Sequence, residues 1–278
     1  MTMAHPAGLA AFKPDTCGGG PLDWSPIASA GALSAFCGIF AGFVFAGIVV
    51  VIGEKNPAGG DGHASRGLRL LLPCFFGLAV ASYLYSLISG ELVCLRALTE
   101  QLFAGAILAA DAIVVIVALA WLLPAFRRNQ HGEVSFFRGL ILFAAQFSML
   151  MLIVSSVGFT NGVLLHRAAG WSDAMVWLSG LALMLLVWAC WHRAPASAPQ
   201  GAGPDWRDEV FLNKWATVSA WTTLALGGLL AVASAATVGL PYDWWDAMDA
   251  PVVYILGESA LVVPGVMVAV AMRALPRA

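Results

Sequence analysis

Runs of about 20 or more residues without charge or histidine alternate along this chain with short segments that hold nearly all of its ionisable groups. A bilayer core about 30 Å thick is crossed by about 20 apolar helical residues. The pattern supplies such a stretch seven times, at about 28–53, 70–90, 101–123, 139–165, 174–191, 215–240 and 252–272. It predicts an all-α, polytopic integral membrane bundle of seven transmembrane helices over 28–273, after a tail at 1–27 and before a tail at 274–278. The longest connection, 192–214, reads as an Ala/Pro/Gly-rich linker followed by a short polar helix at 206–213. Residues 1–13 lack the apolar centre of a cleaved signal peptide, so the first span is expected to act as an uncleaved anchor.

Composition agrees. Of 278 residues, 60% are hydrophobic and 11% charged, and mean hydropathy is +0.83. A water-facing surface needs about 25% charge, so a disordered chain, a disulfide-stapled secreted module and a soluble enzyme with one anchor are all excluded.

The sparse charges set an expected orientation. With the N-terminus outside, 11 of the 14 basic residues fall in cytoplasmic segments, leaving Lys13, Arg96 and Arg167 outside. The C-terminus is then cytoplasmic, and the Asp243, Asp246 and Asp249 segment reads as a solvated acidic loop on the outer side. Nothing basic remains for nucleic acid. Eleven Arg against three Lys, with abundant Ala and Gly, suggests a high-GC genome and hence a bacterial plasma membrane. Of the five cysteines, only Cys17 and Cys94 fall outside, where they form a possible disulfide.

Missing residues remove several chemistries. All five histidines lie in loops or at span ends, which leaves no pair for a transmembrane haem. No lysine lies inside a span for a Schiff base, and no zinc-protease, serine-hydrolase or P-loop motif occurs. No cofactor and no metal site is expected.

Inside the predicted spans the ionisable acids and bases reduce to Asp111 and Glu258. Each costs roughly 2.5–3.5 kcal/mol at the centre of a lone inserted helix, so such residues mark function by default. Their positions within parallel spans put them within roughly 5 Å in depth, where they could share one site. No Arg or Lys stands at that depth, so at least one is expected to carry a proton at neutral pH. Ser82, Tyr85, Ser86 and Ser89 form a stripe on the second span. With Ser155, Ser156 and Asn161 of the fourth span and Tyr254 one turn before Glu258, they are expected to line an outward-facing polar pocket. Gly31, Ala35, Gly38, Gly42 and Ala46 form a small-residue ridge for close packing within the chain or in a homodimer. Pro264-Gly265 is expected to kink the last span or unwind it beside Glu258.

Three functional readings fit this pattern. One is a proton-linked carrier or small-molecule sensor using Asp111 and Glu258. Another is a membrane-embedded enzyme doing acid/base chemistry on a lipophilic, isoprenoid-like substrate. The last is a noncatalytic subunit of a membrane complex. The partners they imply are the lipid bilayer, protons or a small lipophilic ligand, and a second copy or another membrane protein.

Overall fold

The computed structural model describes residues 25–53, 61–126, 131–164, 172–192, 206–241, 244 and 248–275. Among them the protein is all-helical: α1 (Pro26–Gly53), α2 (Asp61–Ser89), α3 (Cys94–Phe126), α4 (His131–Leu164), α5 (Ser172–His192), α6 (Trp206–Val238) and α7 (Ala250–Arg273). All seven are long and apolar enough to span a membrane. Successive helices are antiparallel, so α1, α3, α5 and α7 start at one face of the bundle, called here the amino-terminal face.

Helix ends follow local chemistry more than the limits of the charge-free runs. Ser25 Oγ accepts the Ala28 N–H at 3.3 Å and Pro26 opens α1, an arrangement that satisfies otherwise orphaned donors of the first turn. Neither Gly nor Pro interrupts 206–226, so the polar helix expected at 206–213 is simply the first two turns of α6. For the same reason α3 starts at Cys94, seven residues before the expected boundary, while α2 starts at Asp61 and runs through Gly62 and Gly67. α7 is helical from 250 to 273, so Pro264 does not unwind it.

α3 and α7 form the middle of the bundle. α3 packs on α1, α2, α4, α6 and α7, and α7 packs on α3, α4, α5 and α6. This central pair separates an α1/α2/α6 group from an α4/α5 group. Of the apolar stretch of α3, 67% is buried, against 28% in α1, α5 and α6. The outer helices present Phe43, Leu178 and Val232 to the surroundings, as lipid-facing positions require. α1 packs through Ala30, Cys37, Ala41, Val44 and Ile48. Its small-residue ridge is exposed instead, and only Gly38 comes close to a neighbour, 3.3 Å from Ser82 Oγ to a Cβ built there. The expected packing role within the chain is corrected, because the face that meets the neighbouring helices is the one carrying Cys37, Val44, Ile48 and Val51 together with Ala30 and Ala41.

At the opposite face, aromatic and basic side chains fasten the helix ends. Trp121 Nε1 donates to the Ala274 carbonyl at 2.6 Å, and Arg66 lies 5.0 Å above the Trp121 ring. Arg273 covers Trp215 in the same way at 5.2 Å, and Arg69 donates to Asn213 Oδ1 at 2.8 Å.

Candidate functional site

Asp111 is 2% exposed and its Oδ2 has no hydrogen-bond partner. It lies on α3 directly under Gly77 of α2, where any Cβ would collide with the carboxyl group. Gly227 of α6 meets the same spot from the third side, with a Cβ built there 3.9 Å from the Gly77 Cα. The two glycines let α2, α3 and α6 close around the acid. Among the described residues Asp111 forms no ion pair, so an ionised carboxylate there would sit uncompensated in a low-dielectric interior.

A second buried acid on this helix, Glu100, lies one residue before the charge-free run and was excluded from the span for that reason. It is 1% exposed. Eleven residues separate it from Asp111, which on an α-helix means nearly the same face and about 16 Å of rise. Glu100 Oε1 accepts the Thr237 hydroxyl at 3.3 Å, while Oε2 has no partner. Opposite them, α6 presents Ser219, Thr223, Ser234 and Thr237, all within about 80° of one another on its circumference. The hydroxyls of Ser219 and Ser234 are buried without partners. The α3/α6 seam therefore carries a broken row of polar atoms from near the amino-terminal face, past Asp111, toward the opposite face. Leu226 and Leu230 fill the interval between Ser234 and Asp111.

The amino-terminal end of this row is closed by an ion pair. Glu91, in the α2–α3 corner, pairs with Arg96, and Arg96 Nη1 also donates to the Val238 carbonyl at 3.3 Å. Burial works against the charge on Glu91. The Arg96 guanidinium and the N–H groups of Leu92 and Val93 outweigh it and hold the carboxyl below its usual range.

Glu258 has different neighbours. It is half-buried at the α5/α7 contact, where Ser179 donates to its Oε2 at 2.8 Å. The structure thus sets Asp111 against α2 and α6, and Glu258 against α5, rather than bringing the two into one pocket. The expected polar lining disperses in the same way. Ser82 and Ser34 exchange hydroxyl-to-carbonyl bonds of 2.9 and 2.8 Å across α1 and α2. Ser86 and Ser89 are exposed, and Ser89 bonds back to the Ser86 carbonyl. Ser156 donates to the Gly257 carbonyl at 2.8 Å, Asn161 is exposed, and the Tyr254 hydroxyl is buried without a partner. Hydroxyls in membrane helices commonly satisfy themselves on carbonyls in this manner.

Tyr85 and Ser155 of that set open onto a cavity. Its volume is about 620 Å³ and it lies between α1, α3 and α4. Gln101, Gly105, Ala109 and Ala112 supply the α3 wall, on a face roughly 120° around the helix from Asp111. The remaining lining is mainly apolar, with Phe36 and Phe40 from α1 and Phe147 and Met151 from α4. This largely apolar cavity includes neither Asp111 nor Glu258.

Cys94 is disulfide-bonded, while Cys37, Cys74 and Cys190 are free. Cys17, the expected partner, lies outside the described residues, as do Asp243 and Asp246. Among the described residues no group of three or more His, Cys, Asp or Glu side chains is placed to hold a metal ion. No protein-family model, curated protein or solved structure matches the chain.

Proposed function

We propose that this multi-pass membrane protein is a proton-linked carrier or small-molecule sensor in which Asp111 takes up and releases a proton as the helices rearrange. The observation that carries the reading is the buried Oδ2 of Asp111, without a hydrogen-bond partner, between Gly77 and Gly227. Such a group is tolerated as a neutral acid and becomes expensive on ionisation. Loss of its proton therefore favours any arrangement that admits water or parts α2 from α3, and a ligand that binds one arrangement better shifts the proton equilibrium with it. Glu100 and the α6 hydroxyls stand on the same seam toward both faces, with leucines between Ser234 and Asp111, so protons would pass along it only in an arrangement that parts those leucines and admits water. Glu258, hydrogen-bonded by Ser179, is a second carboxyl group, half-buried on α7.

Infrared difference spectroscopy of the reconstituted protein tests this directly. A carbonyl component of a protonated carboxylic acid should disappear on alkalinisation, be lost in Asp111→Asn and persist in Glu100→Gln and Glu258→Gln. Vesicles loaded with a pH-sensitive dye then separate the two forms: proton flux that requires Asp111 marks a carrier, and titration without flux marks a sensor. A band and a flux both unchanged in Asp111→Asn would remove the reading.

A further inference from the structure

We propose that the cavity between α1, α3 and α4 is a binding site for one neutral, single-chain lipid, an acyl or prenyl chain carrying an uncharged hydrogen-bonding head. Its lining extends from Leu98 to Ala112 on α3 and from Phe159 to Phe147 on α4. At 1.5 Å per residue these stretches measure about 18–21 Å. A volume of about 620 Å³ over that length leaves a mean cross-section of about 30 Å². Carbon atoms keep about 4 Å from their neighbours, so the space admits an extended chain along its length. The volume also falls within the range of about 300–1,000 Å³ usual for small-molecule sites.

The polar groups are not spread evenly. Tyr85, Gln101 and Ser155 lie toward the amino-terminal end, and the far end is closed by Phe40, Phe147 and Ala112 with one hydroxyl, that of Ser148, beside them. The carboxamide oxygen of Gln101 is buried without a hydrogen-bond partner, so a donor on the ligand head would satisfy it. No charged side chain lines the cavity, and a carboxylate or phosphate head would be desolvated there without compensation. Gly158 lines the wall with open space where a Cβ would stand, which keeps the passage wide. This assignment stands apart from proton binding at Asp111, which lies on another face of α3.

The test uses the full-length protein in phosphatidylcholine vesicles, photolabelled with a diazirine analogue of hexadecanol, with label positions read by peptide mass spectrometry. Label is expected on the α3 and α4 cavity residues, with unlabelled oleyl alcohol reducing it about tenfold while label at lipid-facing Phe43 of α1 stays constant. Gly158→Leu, whose side chain enters the cavity without a backbone clash, should cause a similar loss; Ala109→Leu serves if that variant fails to insert. The corresponding hexadecanoate analogue should label these residues several-fold less. Labelling of the cavity at the Phe43 level, or labelling that neither competitor nor filling variant reduces, would overturn the assignment. Asp111→Asn should leave the labelling unchanged, which keeps this result separate from the proton experiment.

Discussion

At the scale of single residues, the tightest contact with a chemical consequence is that of Gly77 with Asp111. Gly77→Ala should destabilise the protein by about 1–3 kcal/mol, because α2 and α3 must part or the carboxyl must rotate away. In an Asp111→Ser background the same substitution should be neutral or stabilising. Unfolding in detergent of the two singles and the double measures the coupling, and equal effects of Gly77→Ala in both backgrounds would refute the contact's importance. Asp111 was legible in the sequence because it interrupts an otherwise charge-free run. Glu100 was not: it borders that run, and charge alone does not tell a helix-end residue facing solvent from one turned inward against Thr237. Its nearly common face with Asp111, eleven positions on, was the available signal.

Whole elements were easier to read than their ends or faces. Seven helices follow from seven apolar runs because lipid leaves the backbone no other open choice. Their extensions into charged segments did not follow, since helix propagation depends on Gly, Pro and capping residues, while hydropathy marks only membrane depth. Faces were harder still. In the stripe Ser82, Tyr85, Ser86 and Ser89 one residue binds α1, one borders the cavity and two are exposed. Serine does not announce its partner, and interhelical hydrogen bonds are weak guides to packing. Ser156→Ala, which deletes the bond from α4 to the Gly257 carbonyl of α7, should accordingly cost only about 0.6 kcal/mol, and no more than about 1.7. A larger loss in thermal or detergent unfolding would show that the α4/α7 contact depends on this hydroxyl.

For the molecule as a whole, the Glu91–Arg96 pair ties the α2–α3 corner to the end of α6. The folded carboxyl titrates below its usual value of 4.5, so its stabilising effect is complete above that pH and fades as the pH falls through the lower folded value. Unfolding midpoints measured from pH 7 down to pH 3 should decline in the wild type more than in Glu91→Gln, and parallel declines would exclude the pair as a source of acid sensitivity.

The central place of α3 also bears on how the protein is made. During synthesis at about 5–20 residues per second, α6 reaches the membrane roughly 5–20 s after α3, because 116 positions separate Asp111 from Gly227. Through that interval the face bearing Glu100 and Asp111 has only α2 and the helices already inserted to shield it from lipid. The nascent chain thus carries both acids into the bilayer before α6 can cover them, and the α2–α3 hairpin, closed at Gly77, is the first refuge they have.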